Sequence, residues 1–210
     1  MIIAVDGTAA SGKGTLARRL ARHYGLPHLD TGALYRAVAL ACLRAGADIA
    51  DEAAAAEIAR IFDPVLTDDA AIRSDTVGEV ASRVSVHPSV RQALLERQRA
   101  FARQPGGAVL DGRDIGTVVC PEAAVKLFVD APLAVRAQRR YAELSEAGYR
   151  TTFEDVAADM RRRDERDRGR AAAPLARAPD AVLIDTELLT PDGVFQRALA
   201  AVEAARARGG

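Results

Sequence analysis

Cysteine is scarce in this chain. Cys42 and Cys120 are the only two; they lie far apart, and neither has a companion at metal-ligand spacing. That excludes a disulfide-stapled scaffold and a thiolate metal centre, and predicts two reduced thiols in a cytosolic protein. Net charge is missing too. The 29 Lys and Arg are balanced by 29 Asp and Glu, so no global field draws the chain to a polyanion or an acidic membrane. No apolar run approaches the roughly 20 residues of a membrane span. The opening MIIAVDG reads as a strand and lacks the charged n-region of a secretory leader, so a cytoplasmic location is expected. Aromatics are 4% of residues, and the hydrophobic share leans on alanine. Lysine is nearly absent: Lys13 and Lys126 stand alone among arginines, which draws attention to Lys13.

At 210 residues the chain is expected to form one domain, 1–210, with mobile sub-parts. Ile2 to Val5 is a continuous apolar run, as expected of a strand buried on both faces. Leu16, Ala17, Leu20, Ala21 and Tyr24 then recur at helical spacing until Gly25. Pro27 to Leu29 is a very short strand, and Asp30 or Thr31 caps a helix running to about Ala45. An alanine-rich helix covers about Asp51 to Phe62. From Asp63 to Ser74 the periodicity fails; an irregular segment with at most one short strand is expected. Helices resume near Val77 and at Pro88. AVLDGRD from Ala108, AVKLFVD from Ala124 and AVLID from Ala181 are strands. Between the last two, one helix follows Pro132 and a second is capped by Thr151 or Thr152. A final helix starts at Thr190 to Asp192, and its RARGG end is expected to fray. Five short strands alternating with helices predict an α/β three-layer fold with a parallel sheet covered on both faces.

VDGTAASGKGT, Val5 to Thr15, carries the strongest signal. Gly7, Gly12 and Lys13 have phosphate-loop spacing, and the loop joins a strand to a helix. Glycines let successive backbone N–H groups turn toward phosphate oxygens, and the following helix offers its N-terminal donors and dipole. Lys13 adds a point charge for the terminal phosphates. The dinucleotide pattern Gly-x-Gly-x-x-Gly is absent, because Thr8, Ala9, Ala10 and Ser11 fill the gap. A nucleoside triphosphate is therefore expected instead of NAD.

Ligands of open parallel sheets lie beyond the carboxyl ends of the strands. There the chain places Arg36, in LDTGALYR, and Arg113, in LDGRDIGT; guanidinium forks at such turns suit a second anionic group. Farther on, Phe153, Val156 and Met160 share a helical stripe that continues as Arg163, Asp167 and Arg170. The ionic half fits a solvated helix end, an RNA-contacting helix or a lid that lays arginines over phosphates. RNA is disfavoured, since Asp164, Glu165 and Asp167 interrupt the charge and no stacking aromatics accompany it.

In order along the chain, DGTAASGKGT, LDTGALYR, RQALLERQRAF, DGRDIGTVVCP and RRDERDRGRAAAPL resemble the motifs of the nucleoside monophosphate kinases, and within them the bacterial cytidylate kinases. The resemblance covers nearly the whole chain. It implies a P-loop NTPase fold with an arginine-rich mobile lid at about 148–175. It also implies a reduced monophosphate-binding lobe at about 46–88, because Asp63 to Val77 is too short for the small sheet the family usually inserts. The implied activity is phosphoryl transfer from ATP to CMP, and to dCMP, by a monomer. The loop residues Gly7, Thr8, Ala9, Ala10, Ser11, Gly12, Lys13, Gly14 and Thr15 would hold ATP. Thr31, Arg36 and Arg113 would hold the acceptor phosphate. Ser82, Arg91 and Asp114 would read cytosine and its surroundings, and Arg163, Asp167 and Arg170 would cover phosphates and sugar. Lys13, Arg113, Arg163 and Arg170 would act on the transferring phosphoryl group. Mg²⁺ would be held mainly by nucleotide phosphates and water, with Thr15 available to it, because Gly14 replaces the usual hydroxyl residue and the motifs supply no metal ligand.

Three other readings make different predictions. A regulatory phosphate-loop NTPase would hydrolyse without an acceptor, an RNA-binding module would be retained on RNA in a salt-sensitive way, and a relative acting on UMP, AMP or a small metabolite such as shikimate would differ only in acceptor. Ser82, Arg91 and Asp114 distinguish the last: uracil lacks the exocyclic amine that Asp114 would accept from.

Overall fold

The computed structural model describes the backbone of residues 1–209 and the side chains of residues 1–207. Strands β1 (Ile3–Gly7), β2 (His28–Asp30), β3 (Val109–Gly112), β4 (Val125–Asp130) and β5 (Val182–Asp185) make one sheet in the order β2-β3-β1-β4-β5. Every neighbouring pair is parallel. β1 is central and buried along its length, so it carries no polar alternation. Ile3 and Val5 face α1 (Lys13–Tyr24) and α8 (Pro191–Gly209), which lay Leu16, Leu20, Ala198 and Val202 against them. Ala4 faces the other way, with Leu110, toward α5 (Pro88–Ala102) and a π-helical turn at Ile115–Val119. Three layers result, as the strand–helix alternation predicts.

Two helical units flank the cleft. In the first, α2 (Thr31–Ala45) lies between α3 (Glu52–Ile61) and α4 (Asp75–Val84). Ala37, Val38 and Cys42 pack on Ala55, Ala59 and Phe62, while Ala39 and Leu40 pack on Val77, Val80 and Val84. The second pairs α6 (Leu133–Glu146) with α7 (Phe153–Gly169) through Ala137, Leu144, Val156 and Met160. Local chemistry sets these boundaries. Asp30, Asp51 and Thr152 accept backbone N–H groups at the starts of α2, α3 and α7, and Gly25 and Gly46 close α1 and α2 in the left-handed region.

Two segments differ from expectation. Asp63 to Ser74 holds no strand. It forms 3₁₀ turns at Pro64–Asp68 and Ala70–Arg73, because the carboxylates of Asp63 and Asp69 accept from Val65 N and Ala71 N and curl the chain locally. The π-helical turn after Asp114 is the second difference, since no local pattern announces it. The expected fraying of RARGG falls partly outside the described residues; α8 itself extends to Gly209. Among the described residues, no helix is long and apolar enough to cross a membrane.

The sheet order puts the topological switch beside β1. From β1 the chain runs to the edge strand β2 and returns to β3 on one side, then crosses to β4 and β5 on the other. The crevice therefore opens beyond the ends of β1 and β3. Gly7 ends β1 there at φ 155, and a Cβ on it would stand 2.0 Å from the Val129 carbonyl oxygen. A Cβ on Gly14 would meet only ordinary contacts at 3.5 and 3.6 Å. Chemical denaturation should thus show Gly7→Ala losing about 2 kcal/mol or more, and Gly14→Ala less than about 1 kcal/mol.

Candidate active site

Beyond the ends of β1 and β3 lies a cavity of about 720 Å³, the size of a small-ligand site. The loop after β1 forms its floor. Gly12 caps α1 with φ 89, and Ala10 also has a positive φ of 56. The loop is tied from inside: Thr8 Oγ1 donates to Asp130 Oδ1 at 2.6 Å, and Ser11 Oγ donates to the Thr8 carbonyl at 3.0 Å. These hydroxyls brace the loop and do not line the cavity. Ala9, Ala10, Lys13 and Gly14 do line it. Gly7 lies against β4 beneath, and Thr15 is exposed. Lys13 Nζ has only the Thr8 carbonyl, at 3.5 Å. Burial lowers its pKa from 10.5 to about 7, with Arg113 repelling it as a like charge. The ammonium is thus held where it lacks an anion.

The turn after β3 supplies the next groups. Both oxygens of Asp6, at the end of β1, accept N–H bonds of 2.8 Å from Ile115 and Gly116. Burial raises the Asp6 pKa to about 6, against the pull of those two N–H bonds. This anchor fixes the start of the π-helical turn and so aims Arg113 and Asp114 into the cavity. Sequence reasoning missed it, although an acidic residue immediately before a phosphate loop was the available signal. Asp111 takes His28 Nε2 at 2.7 Å on one oxygen, and its other oxygen is the one that faces Gly14.

The acceptor-side residues named from sequence converge on the same cavity. Arg36, Thr31, Ser82, Arg91, Arg113 and Asp114 all line it. Arg36 is held by a 2.9 Å bond from Nη1 to the Ile72 carbonyl, and burial lowers its pKa. Thr31 is used differently from the expectation of a phosphate contact: its hydroxyl donates to the Asp111 carbonyl at 2.8 Å. What it offers the cavity is its place in the first turn of α2. Arg91 Nη2 pairs directly with Asp114 Oδ2, and Arg91 Nη1 donates to the Ser85 carbonyl at 3.3 Å. Tyr35, Asp30, Asp75, Ser85 and Arg140 also line the cavity but were not singled out from sequence. Isolated polar residues on amphipathic helices carry no local signal.

Helix α7 forms the roof. Its apolar half is packed on α6, and its ionic half turns Arg163, Asp167 and, just past the helix end, Arg170 to the cavity. Arg113 Nε donates to Asp167 Oδ2 at 2.9 Å. Burial alone would raise the Asp167 pKa, but Arg113, Arg163 and Arg170 outweigh it and keep the carboxylate below its usual range. Arg163 falls to about 10, through burial and then Arg113. Arg163 Nε and Arg170 Nε and Nη2 are buried with no hydrogen-bond partner. Unpaired buried donors are costly, and here all three belong to cations lining one cavity. An anion with several oxygens is the ligand that would satisfy them.

The family model described as cytidylate kinase matches residues 3–204. A cytidylate kinase of Rhodopseudomonas palustris (strain TIE-1) is 59% identical over 207 residues, covering 99% of this chain and 98% of the relative. A cytidylate kinase of Methylobacterium sp. (strain 4-46) is 61% identical over 204 residues, covering 97% of each chain. Among solved structures, an unliganded sugar kinase from Janibacter sp. HTCC2649 matches with a TM-score of 0.51 at 18% identity, covering 98% of this chain and 96% of that one. At that identity the likeness bears on the fold alone.

The lysine gives a pH signature. Bound phosphates favour its charged form, so its pKa rises on binding from about 7 toward 10.5. At about pH 8, where the nucleotide phosphates are already ionised, ATP binding should take up about one proton. Affinity should fall as pH rises above the free-state value. Calorimetry in two buffers of different ionisation enthalpy measures the uptake, and Lys13→Gln should abolish it.

Proposed function

The chain belongs to the cytidylate kinase family, and on that premise we propose that the cavity aligns the γ-phosphate of ATP with the phosphate of CMP. The chain is a nucleoside monophosphate kinase. The observation that carries the site reading is the set of unpartnered buried N–H donors on Arg163 and Arg170, facing a desolvated Lys13 across one cavity. Transfer to dCMP is part of the same reading.

The attacking atom is a phosphate oxygen of the acceptor, already ionised at neutral pH, so no general base is needed. Catalysis then consists of alignment and charge neutralisation. Lys13 and the loop N–H groups hold the donor phosphates. Arg36 and Arg113 hold the acceptor phosphate, and Arg163 and Arg170 neutralise the charge between them from above. With α7 down, water is excluded from the transferring group. Asp114, oriented by Arg91, presents an acceptor to the cytosine amine. Ser82 and Asp167 complete the base and sugar side.

Mg²⁺ fits the site as an ion carried by the nucleotide. Among the described residues, no cluster of three or more His, Cys, Asp or Glu could cage a metal. The Asp111 oxygen facing Gly14 and the Thr15 hydroxyl would be available to its shell; when bound, the ion would neutralise charge on the donor phosphates. A cytoplasmic monomer belongs to the same proposal.

A coupled ADP-release assay with ATP and CMP, dCMP, UMP, AMP and shikimate tests the acceptor. CMP and dCMP should be turned over best, and failure of both would overturn the reading. Hydrolysis without any acceptor would favour a regulatory NTPase. Arg113→Ala should lose at least about a hundredfold in turnover. Its melting temperature should change little, because like charges on Lys13 and Arg163 are relieved as the Asp167 pair is lost.

A further inference from the structure

Arg166 lies on α7 between Arg163 and Arg170 yet does not line the cavity. Its guanidinium reaches across to α4. Nε donates to Ser82 Oγ at 3.1 Å, and Nη2 donates to Glu79 Oε2 at 2.6 Å. Glu79 and Ser82 are three residues apart on one helix face, and a planar fork can hold both at once where an ammonium cannot.

Ser82 is 4% exposed and lines the cavity. Its hydroxyl has one proton to give. Because Oγ already accepts from Arg166, that proton must point elsewhere. Among the described residues no protein acceptor takes it; the neighbouring Ser85 hydroxyl donates to the Ser82 backbone carbonyl at 2.9 Å. We propose that Arg166 is a positioning residue: by docking on α4 it commits the Ser82 hydroxyl to donate into the cavity, so reading of the acceptor is completed only when α7 is down.

The partner this creates a place for is a lone pair on the acceptor nucleotide, such as a ring carbonyl, a ring nitrogen or a sugar oxygen. The coupling is mechanical. Arg163, whose Nε awaits an anion, lies one turn before Arg166 on the same rigid helix. Docking of Arg166 therefore sets the phosphate-facing arginine and the acceptor-facing hydroxyl in one movement. A second strap beside it, Arg140 of α6 to Asp75 of α4, holds the same two units together.

This inference rests on the acceptor reading of the cavity, and two measurements separate them. The first is a cycle of Arg166→Lys, Ser82→Ala and the double variant, with KM and kcat for CMP and ATP. Lysine keeps the charge and removes the fork. Each single change should raise the CMP KM about five- to tenfold, the effect of one hydrogen bond, and leave the ATP KM within about twofold. The double variant should be no worse than Ser82→Ala. Additive losses, a wild-type CMP KM in Arg166→Lys, or an ATP KM that rises in step would overturn the coupling. The second is hydrogen exchange without nucleotide. Amides of Asp75–Val84 should exchange faster in Arg166→Ala than in the wild type; unchanged protection overturns the docking, even if no acceptor in the panel is turned over.

Discussion

One carboxylate lets the cationic groups of this cavity coexist. Asp167 lies among Arg113, Arg163 and Arg170, with Arg113 bonded to it directly. Guanidinium groups drawn from a turn, a helix and a helix end would otherwise repel one another in a desolvated space. Burial, with Arg113 adding like-charge repulsion, lowers the pKa of Lys13 and of Arg163. Arg163 Nε and Arg170 Nε and Nη2 are left without partners. An anionic ligand would give those donors acceptors, so its binding energy would include relief of a desolvation cost built into the fold. Arg113 joins α7 to the turn after β3, and Arg163 and Arg170 remain beside Asp167 without it.

The sheet makes this convergence possible. β1 and β3 are neighbours, so the donor loop and the arginine-bearing turn emerge side by side although 100 residues apart in the chain. Asp6 links them, holding two N–H groups of the turn from the strand that feeds the loop. The apolar half of α7 then anchors its ionic half. Val156 and Met160 fix the helix on α6, which places Arg163 and Arg170 over the cavity.

What sequence could reveal follows from how local each cause is. Strands, helices and caps were legible, because Asp30, Asp51, Gly25 and Gly46 act within a few residues of their own positions. The loop and the arginine turns were legible as motifs, and the cavity gathers Ala9, Ala10, Lys13 and Gly14 of the loop with Arg36 and Arg113. The break in periodicity at Asp63 to Ser74 was legible, but the 3₁₀ turns that fill it, curled by two aspartates, were not. The π-helical turn, the inward use of the Thr31 hydroxyl and the reach of Arg166 to α4 depend on partners distant in the chain. No window along the sequence contains both ends of those bonds.

Arg36 is steadied by a main-chain oxygen, that of Ile72, in the short connection between α3 and α4. Every residue type carries that oxygen. The grip on this arginine therefore depends on the path of the backbone. That path is set by the two aspartates that curl it and by the Ile72 side chain buried among α2 and α4, so residues that never touch the cavity decide where the arginine stands.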